Sequence, residues 1–97
     1  MNEHLPTLVV VTVAEGIGEK NVPGGGEILA VGVIPPNDSA QYDIAGYDCD
    51  NFLLYLGDDV VGKVNMPCQA QVYDHHKVKI SDATVDGTYK VKIWWSR

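Results

Sequence analysis

Apolar and polar residues alternate along much of this chain. In KVNMPCQAQVY, residues 63–73, Val64, Met66, Cys68, Ala70 and Val72 alternate with Lys63, Asn65, Pro67, Gln69 and Gln71. That is the period of a strand with one buried and one wet face. The same reading predicts strands over residues 7–14, 27–34, 40–44, 51–56, 60–73, 77–80 and 88–95, all rich in the Val, Ile and Tyr that suit a pleated surface. No apolar set recurs at helical spacing, so no long helix is expected. Pro67 cannot donate to a ladder, which places its strand at a sheet edge or on a bulge.

Turn-forming residues separate these runs: GIGEKNVPGGG, IPPNDS, GYDCDN, LGDD, YDHH and SDATVDG. Seven or eight short strands at such spacing predict a single-domain all-β sandwich over residues 1–97, of jelly-roll or immunoglobulin-like type. Residues 1–6 read as a flexible N-terminus and residues 15–26 as a long Gly-rich loop, with 17–23 an arm that orders on a partner. Val64, Met66, Val72, Ile93 and Leu54 are the expected core.

The last strand, GTYKVKIWW, sets a puzzle. Tyr89, Val91, Ile93 and Trp95 share one face and Lys90, Lys92 and Trp94 the other, so one indole enters the core while the other points elsewhere. The runs TLVVVTV and FLLYL are apolar at both parities, which calls for a second covered face. A tryptophan buries about 150–250 Å² when covered, so an uncovered one marks an interface. Trp94, Tyr89, Tyr55, Ile17, Val22 and Pro23 are the expected contact residues.

Composition narrows the function. A length of 97 residues with 45% hydrophobic and 21% charged residues is that of one folded domain. A net charge of −6 with seven scattered basic residues does not make a phosphate-binding patch, so nucleic acid is not an expected partner. The run from Leu8 to Val13 is too short to span a bilayer and no basic n-region precedes it, so neither membrane insertion nor export by a leader is expected. Cys49 and Cys68 permit one disulfide at most, and nothing in the sequence implies the oxidising compartment that would favour it.

Candidate chemistry is sparse. Asp48, Asp50, Asp58 and Asp59 offer oxygen ligands for calcium, but the glycine and distal glutamate of a helical calcium loop are missing and turn hydrogen bonding explains these residues. His75 and His76 adjoin and would face opposite ways on a strand, so they read as turn residues in water; His4 falls in the terminal stretch. None of Ser39, Ser81 and Ser96 lies in a Gly-x-Ser-x-Gly turn, and the glycine runs do not lead into a helix. No cofactor, metal or enzymatic activity is expected.

The passage VGVIPPNDSAQYDIAGYDCDNFLLYLG followed by ATVDGTYKVKIWW resembles small β-sandwich proteins of tailed-phage virions, from Gly26 onward. The DGTY turn also resembles the tyrosine corner of immunoglobulin-like sandwiches, except that Asp86 adjoins Gly87. The resemblance implies a capsid decoration or cement protein, a homotrimer made in the host cytoplasm. It would bind the major capsid protein on the virion surface and have no catalytic residues. A tail or fibre component is the neighbouring alternative. An alternative of another class is a carbohydrate-binding module, in which Trp94 with Tyr47 or Tyr73 forms a stacking platform.

Overall fold

Eight strands make up the computed structural model, which describes residues 6–96: β1 (Thr7–Val13), β2 (Gly18–Pro23), β3 (Gly26–Ile34), β4 (Gln41–Asp48), β5 (Leu53–Val61), β6 (Val64–Val72), β7 (His75–Ser81) and β8 (Gly87–Trp95). They form two four-stranded sheets with orders β1-β8-β3-β6 and β2-β7-β4-β5, every pairing antiparallel. The pairs nest: first with eighth, second with seventh, third with sixth, fourth with fifth. That winding is a jelly roll, the first of the two sandwich types expected. The N-terminal stretch expected to be flexible, with His4 in it, lies outside the described residues except for Pro6.

Alternation explains the core. Val9, Val11 and Val13 of β1, Val31 and Val33 of β3, Val72 of β6, and Tyr89, Val91, Ile93 and Trp95 of β8 point inward. They meet Val22, Tyr42, Ile44, Tyr55, Val78 and Ile80 of the second sheet. Tyr42 and Tyr89 pack edge to face, with centroids 5.3 Å apart. Each hydroxyl finds a carbonyl: Tyr42 donates to Gly62 O at 2.7 Å and Tyr89 to Val85 O at 2.6 Å. The second bond runs four residues upstream, so a tyrosine-corner contact exists here within a jelly roll. Of the expected core, Val72 and Ile93 are fully buried, while Val64, Met66 and Leu54 are half-buried at its margin.

The expected loop 15–26 is corrected by β2, which pairs with β7 from Gly18↔Ile80 to Pro23↔His75. β1 and β2 are joined by a two-residue turn in which Glu15 and Gly16 both have positive φ, 56° and 80°. That is the mirror-image turn that matches strand twist. Asp86, just before the neighbouring strand β8, holds it, its two carboxylate oxygens each accepting a 2.9 Å bond, from Glu15 N and Gly16 N. The strand expected over 60–73 is likewise divided. Gly62, at φ 72°, turns the chain between β5 and β6, with no room for a Cβ beside Asp38 O.

Two supposed turn signals fall inside strands. Gly46 lies within β4 because the Tyr55 ring lies flat where a side chain would be, and Gly57 lies within β5 under Met66 and Ile44. Pro67 sits on β6, an edge strand, as its missing N–H requires. A bulge between Ile28 and Ala30 shifts the register of β3 against both neighbours and leaves Leu29 exposed.

Candidate binding surface

The two tryptophans part as parity demands. Trp95 is in the core, where its Nε1 donates to Thr7 Oγ1 at 3.0 Å and its ring meets His76 edge to face. Trp94 is half-buried on the outer face of the β1-β8-β3-β6 sheet. Rows across that face read Leu8, Lys92, Gly32, Asn65 and, one step along, Trp94, Ala30, Pro67. Gly32 has no side chain to fill its place in the row. A hollow of about 370 Å³ opens there, lined by Trp94, Lys92, Ile34, Lys63, Asn65 and the neighbouring valines of β3 and β6. Lys63 and Lys92 have no ion-pair partner among the described residues.

Three of the six expected contact residues are corrected. Tyr89 and Val22 are fully buried and Tyr55 nearly so, each filling the space between the sheets, where no partner reaches. Tyr55 is held there by a 3.1 Å hydrogen bond between its hydroxyl and His76 Nε2. Ile17 and Pro23 are exposed. Trp94 lies beyond the Thr7 end of β1 and Ile17 beyond its Val13 end, so a full strand separates them and they form no single patch.

The proposed sugar platform of Trp94 with Tyr47 is also excluded by the geometry. Tyr47 lines a groove with Asn51, Lys77 and Lys79 on the outer face of the other sheet, so the two aromatics face away from each other. Tyr73, largely exposed, occupies the β6–β7 turn.

His76 is the largest departure from the reading of YDHH as a turn in water. β7 carries it into the core, fully buried between Tyr55 and Trp95. Its Nδ1 has no hydrogen-bond partner among the described residues. Burial, and secondarily the charge of His75, push its pKa down to about 4. His75 stays at the surface, 2.8 Å from Asp74.

The aspartates divide differently from the sequence grouping. Asp48 Oδ1 accepts Asp50 N and Phe52 N, both at 2.9 Å, which is the local turn role expected. Asp58 and Asp59 instead meet Asp43 of β4, and the three offer oxygens within 4.8 Å of one another. The Asp59 backbone N–H, 2.8 Å from Asp43 Oδ1, holds Asp43 below the usual carboxylate range, while the hydrogen bond and charge of Asp43 push Asp58 up. Cys49 and Cys68 are free thiols, the first exposed, the second half-buried and pushed up by burial.

Sequence reasoning reached Trp94 but missed Gly32, Lys63, Lys92 and Asn65 around it. The local signal was present in two strands, as Lys63 and Asn65 share one parity and Lys92 and Trp94 another. Only the pairing of β3 between β6 and β8 brings the two sets together. No protein-family model matches this chain, and no curated protein matches it in sequence.

Proposed function

We propose that the chain is a non-enzymatic structural protein, a capsid decoration or cement protein that docks on assembled major capsid protein of a tailed-phage shell as a closed homo-oligomer, a trimer for preference. The observation that carries this reading is the apolar surface left on two edge strands. Leu8 and Val10 on β1, and Leu53, Leu56 and Val61 on β5 with Phe52 just before it, each keep 45–70% of their surface in water. Covering a half-exposed side chain of this kind contributes on the order of 1 kcal/mol. Six of them on unpaired edges favour association over solvation.

The test is co-sedimentation of the purified protein with shells assembled from the major capsid protein of the same source, with light scattering for its mass. Saturable binding by a closed oligomer, weakened by Leu8→Asp or Leu56→Asp without loss of fold, is the expected result. A monomer that stays in the supernatant at every shell concentration sinks the proposal.

A further inference from the structure

The hollow over Gly32 has a chemistry that apolar edge docking does not use. Its floor belongs to β3 and one wall to β8, both interior strands whose backbone groups are taken up by ladders on either side. A peptide adding as a strand needs a free edge, and the one beside the hollow is the outer rim of β6, which β3 separates from Trp94 and Lys92. Within the hollow recognition therefore falls to side chains: the indole of Trp94, the amide of Asn65 and the ammonium groups of Lys63 and Lys92, beside Ile34 and the bare backbone at Gly32.

The charge of this face is opposite to that of the molecule. The chain carries −6 overall. Among the strands of this sheet Glu27 is the only acidic residue, and it is paired across from Gln71 at the far end of β3. Lys90, Lys92 and Lys63 gather at the other end. The surrounding negative charge disfavours a dense polyphosphate. A ligand with one negative charge per unit, an apolar face for the indole and hydroxyls for the amide fits better. A hollow of about 370 Å³ lies in the range of small-ligand sites, and because it is open, a chain can cross it.

We propose that this hollow binds an acidic saccharide: a uronic-acid unit stacks its ring on Trp94, gives its carboxylate to Lys92 and Lys63, and meets Asn65 with its hydroxyls. The site adjoins Leu8 of the β1 edge through Lys92 but shares no lining residue with the apolar edges of β1 and β5, and it stands whether or not the chain decorates a shell.

Calorimetric titration of the full chain with oligogalacturonate tests it, with neutral dextran oligosaccharide and poly-glutamate as comparisons. Saturable binding of oligogalacturonate that weakens with added salt is expected, with none of dextran. Gly32→Leu should abolish it by filling the hollow. A Cβ at Gly32 meets only Val64 O at 3.6 Å and Lys92 Cβ at 3.8 Å, ordinary contacts, so this variant keeps its fold and melting point. Trp94→Ala should weaken binding about tenfold, and Lys63→Gln and Lys92→Gln about threefold each. Absence of saturable binding, unchanged affinity in Gly32→Leu, or poly-glutamate binding as tightly as oligogalacturonate would each overturn the assignment, the last by making this a site for acidic peptides.

Discussion

Protonating His76 should destabilise this protein from the inside. The ring is fully buried between Tyr55 of β5 and Trp95 of β8, shares one hydrogen bond with the Tyr55 hydroxyl, and leaves Nδ1 unpartnered among the described residues. The polar and titratable groups around it are that hydroxyl, itself pushed up by burial and then by Cys68, and the adjacent His75. None is an anion that would welcome an imidazolium. In the unfolded chain His76 takes a proton near pH 6.5, whereas in the fold it does so only near pH 4. Between those values the unfolded state binds more protons. Stability is therefore full above about pH 6.5, falls as the pH drops, and levels off near pH 4. At about 1.4 kcal/mol per pH unit the loss approaches about 3 kcal/mol, a large part of the 5–15 kcal/mol typical of a domain. The assay is urea unfolding at a series of pH values for wild type and His76→Leu, because the difference between them cancels the carboxylates. The variant should lose less stability than wild type between pH 6.5 and 4. Parallel curves across that window would refute the reasoning.

Two further outcomes follow from single contacts. Gly46→Ala places a methyl group inside the Tyr55 ring, so Tyr55 must leave its pocket and its bond to His76. Thermal unfolding should show a loss of about 3 kcal/mol or about 10 °C or more, and an unchanged melting point would mean the ring is not held there. Asp86→Ala removes the acceptor for Glu15 N and Gly16 N. It should cost about 1–2 kcal/mol and speed amide exchange in the β1–β2 turn specifically, while uniform or unchanged exchange would deny Asp86 that role.

How much of this was legible follows from what is local. β6 and β8 announce themselves by alternation and β1 and β3 by runs dense in Val, Ile and Leu, and the opposite parities of Trp94 and Trp95 need nothing beyond strand geometry. β2 was hidden because Glu19, Lys20 and Asn21 face water and Val22 alone is buried. A strand at an edge needs only one anchor, and Pro23 costs it little there. Gly46 and Gly57 read as turns because glycine usually marks one, whereas here each makes room for a side chain from elsewhere, the Tyr55 ring and Met66. The burial of Tyr89 was legible, because it shares a face with Ile93 of the expected core, whereas Tyr55 lies in a run apolar at both parities, where a single strand does not say which face is inward. His76 was misread for the same reason, since two histidines in a polar stretch look wet until β7 is laid against Trp95. Gly32, Asn65 and Lys92 lie on three different strands, and their adjacency exists only once the sheet does.

The nested pairing also dictates how the chain can acquire its structure during synthesis. The innermost pair, β4 with β5, closes through a short turn and is available early; the outermost, β1 with β8, must wait, since Thr7 lies opposite Ile93. β8 is not a trim on the sheet's margin but its interior, wedged between β1 and β3. Until it emerges from the ribosome, β1 has no partner in its own sheet and its run TLVVVTV, free of proline and charge, remains a bare adhesive strand. A nascent chain of this design stays vulnerable until β8 is made, and with so many distant pairings its folding belongs to the millisecond-to-second regime. Loss of β8 through a premature stop would therefore leave an aggregating fragment rather than a shortened sandwich.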